Sequence, residues 1–185
     1  MLIRILSFVL ETIFFLLIAA ALLRAWMNWL RVNMSAQPGS FVMALTDWLV
    51  KPLRRALPRS LAQSRADWAS VIAAVVLALA YALLWALLVG LLLGALEFAP
   101  MVLLTLLSFA LKMLVRVALQ TLFILVLGYA ILSWIQPGSP AYALLGRLTE
   151  PVLAPLRRVI PLVGGVDLSA LVLIVLLQIA LMVLV

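Results

Sequence analysis

Nineteen charged side chains, six acidic and thirteen basic, carry the ionic chemistry open to this 185-residue chain, which has no histidine and no cysteine. Glu11 is the one acid inside a long apolar run, and an intramembrane carboxylate is a candidate for proton or cation coupling. Its competing role is structural. Arg4 lies seven residues back on the same helix face, and Arg116 falls one turn from the level of Glu11 when the two halves of the chain are aligned. An ion pair among these three is the stronger reading, because a relay needs several carriers at the midplane. Asp67 and Asp167 each stand just ahead of an apolar run. Two membrane aspartates raise the idea of an intramembrane protease, but their position at the span ends favours helix N-caps, where a carboxylate accepts amide hydrogen bonds and meets the positive end of the helix dipole.

The remaining chemistry is cationic. Arg54 and Arg55 recur as Arg157 and Arg158, 103 positions later. Doublets of this kind beside apolar spans hold anionic headgroups, each cation being worth about 1 kcal/mol near the surface. A composite docking site for a partner protein is the sharper alternative. Nucleic acid is not expected despite a sequence pI near 11.1, since the basic residues are spread along two elbows between apolar spans. Without histidine or cysteine, zinc, serine-histidine and cysteine-histidine chemistry are excluded, and no cofactor or metal is expected.

The elements that position these residues must be membrane helices. Apolar residues make up 69% of the chain and charged residues 10%, with mean hydropathy +1.35. Soluble domains hold about 45 to 50% and about 25%. Stretches of about 20 apolar residues cross a hydrocarbon core roughly 30 Å thick. Four are expected: Ile5 to Leu23, the run between Asp67 and Glu97, Met113 to Ile135, and Leu168 to Val185. Pro100 to Leu111 is apolar too, but joined to the third span it makes a helix of about 50 Å, too long for one crossing. It is expected as a helical extension or interfacial segment.

Duplication organises the spans. Pro52-Leu53-Arg54-Arg55-Ala56-Leu57-Pro58 returns as Pro155-Leu156-Arg157-Arg158-Val159-Ile160-Pro161, and Thr46-Asp47 as Thr149-Glu150. The expected fold is an all-α membrane protein of four transmembrane helices in two parallel repeats, residues 1–97 and 112–185, joined by 98–111. The first span has the ingredients of a signal peptide. It is nonetheless expected to remain, because its counterpart in the third span is internal.

Ten lysines and arginines lie between spans one and two and spans three and four, against three on the other side. The positive-inside rule then places both elbows in the cytoplasm and both termini outside. Each elbow is expected to begin with an interfacial helix. Phe41, Val42, Leu45, Trp48 and Leu49 fall on one face, with Pro52 ending the helix, and Tyr142, Leu145, Leu148 and Val152 repeat the stripe, with Pro151 and Pro155 breaking it.

The second span carries a packing signal. Ala66, Ser70, Ala74, Ala78, Ala82, Ala86, Gly90 and Gly94 are small at every fourth position, which lets helix backbones approach within a monomer or across a homo-oligomer. Gln120 and Gln178 add polar groups suited to helix-to-helix hydrogen bonds.

The doubled elbow, Leu148-Thr149-Glu150-Pro151, Gly164-Gly165-Val166-Asp167-Leu168-Ser169 and Leu22-Leu23-Arg24-Ala25-Trp26 together resemble the YggT family in its two-repeat proteobacterial form. Between Pro58 and Asp67 the first copy departs from that pattern, with Arg59 to Arg65 in place of the glycine pair. The resemblance implies a bacterial inner-membrane protein connected with osmotic or envelope stress tolerance, cell division and assembly of membrane complexes, with no established enzymatic activity. A non-catalytic scaffold or assembly factor fits best, bound to anionic lipids and other membrane proteins. An ion channel or transporter is the alternative, motivated by Glu11 and Arg116, though no span carries a run of polar residues.

Overall fold

The computed structural model of the chain describes residues 1–35, 37–58, 66–93, 100–158, 160 and 167–184. Among the described residues there are six helices and no strand: α1 (Leu2–Trp29), α2 (Gly39–Ala56), α3 (Trp68–Leu93), α4 (Pro100–Ile135), α5 (Pro140–Arg157) and α6 (Leu168–Leu184). Three of them, α1, α3 and α4, are long and apolar enough to cross a membrane, and α6 is an apolar helix of 17 residues. The protein is an all-helical membrane protein. Gly94, Phe98 and the Gly164-Gly165 pair lie outside the described residues, as do most of Arg59 to Ala66.

The helices α1 and α2 are joined by a tight reversal. Arg31 takes a left-handed φ of 55°, with Leu30 N–H donating to Trp26 O at 3.0 Å and Val32 N–H to Met27 O at 2.9 Å, which satisfies the last carbonyls of α1. At the start of α2, a Cβ on Gly39 would lie 2.7 Å from the Met34 Cα, so this close approach of two backbones requires glycine.

The prolines do not break the elbow helices, contrary to the sequence expectation. The helix α2 runs through Pro52, and α5 runs through Pro151 and Pro155. A proline inside a helix costs about 3 kcal/mol. Burial on either side offsets it: Val50 and Leu153 are fully buried, and Leu53 and Leu156 pack on the same cores. The apolar stripe of α2 also divides. Val42, Thr46 and Val50, spaced by four residues, form the buried line, whereas Phe41 and Trp48 are 63% and 60% exposed. The packed line runs along one edge of the stripe, leaving the aromatics outside.

The third long helix is continuous from Pro100 to Ile135, 36 residues or about 54 Å. Pro100 to Leu111 is therefore part of the same rod. Its first half packs through Ala110, Met113 and Val117 into a core with Ile18 and Ala21 of α1 and Ala73, Ala74, Leu77 and Tyr81 of α3. That packing supplies a reason for the helix to extend well past Lys112.

The chain forms two compact units, Met1–Val117 and Ala118–Val185. In the first, Ser70, Ala74, Ala78 and Ala82 of the small-residue ridge are at most 2% exposed, Ala86 is half-buried and Gly90 is buried. Phe14, Tyr81, Phe109 and Trp85 form a chain of ring contacts at 5.2 to 5.7 Å beside the ridge. In the second unit, Val126 and Tyr129 of α4, Leu153 of α5, and Ala170, Leu173 and Leu177 of α6 form the core.

Candidate functional site

Each unit ties its long helix, its elbow helix and the start of the following helix together with one polar knot. In the first unit the centre is Arg24 of α1, 4% exposed. Its Nη1 donates to Thr46 Oγ1 and Asp47 Oδ1, both at 2.8 Å. Thr46 accepts because its own hydroxyl proton is given to Val42 O one turn back, at 2.7 Å. The Arg24 Nε is buried without a hydrogen-bond partner, 4.0 Å from Asp67 Oδ2. Asp67, whose side chain is 7% exposed, heads α3. It accepts from Asn28 Nδ2 at 2.6 Å, from Arg54 Nη2 at 2.9 Å on both oxygens, and from Ser70 Oγ at 2.8 Å. The cap contact from Ser70 N is 3.4 Å. Lys51 Nζ closes the knot on Asp47 Oδ2 at 2.7 Å.

Both carboxylates are held ionised. For Asp67, burial opposes ionisation, but hydrogen bonds from Ser70 and Arg54, the charge of Arg54 and the Asn28 amide together bring its pKa below the usual value. Asp47 is lowered first by the hydrogen bond from Lys51, then, against the effect of burial, by Arg24.

The second knot is centred on Arg157 of α5. Its Nε and Nη2 donate to Asp167 Oδ2 at 2.8 and 2.7 Å, and Nη1 to Glu150 Oε2 at 2.7 Å. Nη2 also reaches the Tyr129 hydroxyl of α4 at 2.8 Å, with the guanidinium 5.6 Å from that ring's centre. Tyr129 stacks on Tyr142, ring centres 5.1 Å apart and hydroxyls 3.2 Å apart. Asp167 Oδ1 accepts from Ser169 N at 3.1 Å, the cap contact expected of it. Burial disfavours the Arg157 cation, but Asp167, Tyr129 and Glu150 outweigh it and raise its pKa above the ordinary arginine value.

The knots serve one purpose with different donors. Arg54 and Arg157 are equivalent at the offset of 103, and each meets the aspartate ahead of the next helix. The acid two turns upstream differs: Asp47 is met by Arg24 and Lys51, whereas Glu150 is met by Arg157. Arg24, Asn28, Thr46, Asp47, Tyr129 and Glu150 were not marked as site residues by sequence reasoning. The duplicated Thr-Asp and Thr-Glu pairs were the available signal, since a threonine and an acid repeated beside a doubled arginine point to a shared contact.

The other candidates fall apart from the knots. Arg116 Nη1 lies 3.2 Å from Glu11 Oε1, with the two side chains 40% and 42% exposed. Arg4 is exposed, and among the described residues Arg116 is the cation that meets Glu11. Arg55 and Arg158 are exposed, so each doublet turns one arginine into a knot and one outward. Among the described residues no three acidic, histidine or cysteine side chains converge as a metal site would require. What the knots can do chemically is join helices: each carboxylate in them is already occupied by cationic donors.

The CCB3/YggT family profile matches residues 3–88 and 110–185, once on each half. The chain is 37% identical over 175 residues to a Vibrio alginolyticus protein named "Uncharacterized protein in proC 3'region", covering 94% of this chain and 90% of that one. It is 32% identical over 175 residues to "Uncharacterized protein YggT" of Escherichia coli strain K12, covering 94% and 86%. An uncharacterized Haemophilus influenzae protein is 32% identical over 153 residues, 82% of this chain and 75% of its own. No solved structure matches the chain.

Proposed function

Because the chain belongs to the CCB3/YggT family, we propose that it is a non-catalytic scaffold or assembly factor of the bacterial inner membrane that supports envelope and osmotic stress tolerance. The observation that carries this reading is where the buried charge goes. Arg24, Asp47, Asp67, Arg157 and Asp167 are consumed in joining helices at the ends of the spans. A protein whose few charges rigidify the helices within each unit offers stable faces for other membrane proteins. Anionic lipids would meet the outward arginines Arg55 and Arg158, and a second copy of the chain is a further candidate partner.

In this reading α6 makes a fourth crossing, since an apolar helix of 17 residues is at the short end of what spans a bilayer. Both elbows face the cytoplasm and both termini the periplasm, on the ten-to-three excess of lysine and arginine. Cysteines at Ser35 and Ala141 are then protected from an impermeant external thiol reagent in intact cells, and labelling of both from outside reverses the orientation.

The second reading, an ion channel or transporter, rests on the half-exposed Glu11–Arg116 pair within the apolar part of α1 and α4. One experiment separates the two: in-cell crosslinking and gentle purification to identify co-purifying membrane proteins, followed by ion flux in liposomes. The scaffold reading expects partners and no protein-dependent flux. Robust flux that disappears in Glu11→Gln would overturn it.

A further inference from the structure

We propose that two copies of the chain pair through α6, running parallel in the bilayer with their Gln178 side chains hydrogen-bonded to each other across the two-fold axis. The inference rests on the preceding reading in taking α6 as a crossing and a second copy as a partner. Gln178 lies ten residues past Leu168, about 15 Å along the helix, and so near the middle of a hydrocarbon core roughly 30 Å thick. It is exposed, and among the described residues its side chain makes no hydrogen bond. A carboxamide facing lipid gives up the hydrogen bonds it had in water, and hydrocarbon supplies none in return.

The internal repeat identifies the Gln178 face as one that takes a helix. The offset of 100 that lays Asp67 on Asp167 lays Ala74, Ala78 and Ala82 of α3 on Ile174, Gln178 and Met182 of α6. In the first unit the three alanines are at most 2% exposed and pack in a core with α1 and α4. In the second unit Ile174 touches the core, whereas Gln178 is exposed and Met182 is 84% exposed. The helix meets its own unit through Ala170, Leu173 and Leu177 on the neighbouring face. The face that other helices cover in α3 is therefore open in α6.

The open face also has the spacing of a helix seam. Leu171, Val175, Gln178 and Met182 are all exposed and follow one another at intervals of four, three and four residues, the alternation by which two helices interlock at a small left-handed crossing angle. A second copy fits this seam on three counts. Copies inserted in one orientation run their α6 helices parallel, which brings Gln178 to the same depth in both, facing itself across the axis. A carboxamide both donates and accepts, so the two side chains satisfy each other. The helix carries no charged residue, so like helices meet without repulsion. One polar residue in an otherwise apolar seam also fixes the register of the pair.

The test uses the full chain, labelled with donor or acceptor dye at Ser35→Cys and reconstituted in phosphatidylcholine vesicles at falling protein-to-lipid ratios; the chain has no cysteine of its own. Energy transfer above that of random proximity is expected, and it should fall as dilution separates the pairs. Gln178→Leu should need about fivefold more protein per lipid for the same transfer, or about 1 kcal/mol for the hydrogen-bonded pair. Gln178→Asn should retain most of the pairing, and Gln120→Leu, at a half-buried position of α4, should leave it unchanged. Oxidation in the same vesicles should join copies carrying Val175→Cys or Met182→Cys and not Leu176→Cys or Ile179→Cys, although all four positions are exposed. Transfer no greater than random, transfer unchanged in Gln178→Leu, or equal joining at all four positions overturns the seam. The crossing is read separately, by labelling Ala141→Cys and Leu184→Cys from opposite sides of the membrane in cells. Opposite-side labelling without pairing overturns the seam alone, whereas same-side labelling overturns the crossing and the seam with it.

Discussion

Replacing Asp67 by asparagine should be the most damaging neutral substitution among the knot acids. The change preserves shape and removes the charge that four groups use. Asn28 loses a hydrogen bond to a charged acceptor, about 1.5 to 3 kcal/mol against about 1 for a neutral one. Arg24, only 5% exposed at its side chain, loses the carboxylate 4.0 Å from its Nε and keeps Asp47 and the Thr46 hydroxyl. Arg54 is 47% exposed, so losing its pair costs about 0 to 1 kcal/mol, as for surface ion pairs. The total is about 3 kcal/mol, the low end of the 3 to 5 seen when one partner of a buried pair is removed. Asp167→Asn is expected to cost less, about 1 to 2 kcal/mol, because Arg157 is more exposed at 29% and keeps Glu150 and the Tyr129 hydroxyl. Denaturant unfolding in mild detergent measures both. The double variant Asp67→Asn with Arg24→Gln should lose less than the sum of the singles, since each single leaves the other's partner unmatched. Equal losses at the two aspartates, or strict additivity in the double variant, refutes the idea that buried Arg24 makes the first knot the more demanding one.

Other expectations follow from neighbouring parts of the molecule. Glu11→Gln should lower thermal stability in detergent and Glu11→Gln with Arg116→Gln should recover part of it, because the single change strands a cation 3.2 Å from its former partner; no recovery argues against the pair. Ala82→Leu, at a position 1% exposed in the ridge, should cost about 1 to 3 kcal/mol by overpacking, while Leu83→Ile, at 51% exposure, should be tolerated, and an unchanged melting temperature in Ala82→Leu removes the ridge from the core. Asp47 and Asp67 have folded pKa values below the unfolded one, so their contribution is fully present above the unfolded carboxylate pKa of about 3.9 and is lost as pH falls through the lower folded values; unfolding midpoints should stay level near neutrality and drop in acid, with a smaller drop in Asp67→Asn.

Sequence alone determined that the chain is a helical membrane protein, that its polar elbow is duplicated, and that it resembles the YggT family, because hydropathy, proline-arginine spacing and internal repetition are local properties of the chain. The small-residue ridge was legible for the same reason, and it packs where its period of four leads, at Ala74, Ala78 and Ala82. Other features needed the fold. Pro52, Pro151 and Pro155 read locally as helix breakers, yet the helices continue, because burial of Val50 and Leu153 outweighs a cost that propensity counts alone. Arg24 looked like one topological cation among ten. Only the crossing of α1 with α2 and the start of α3 brings it to Thr46, Asp47 and Asp67, 22 to 43 positions away in the chain, where long side chains from separate helices converge on one low-dielectric point. The donor exchange between the units is likewise tertiary: Asp47 is met by Arg24 and Lys51, whereas its counterpart Glu150 is met by Arg157, which also donates to the Tyr129 hydroxyl, because which long side chain reaches an acid is set by how the helices cross.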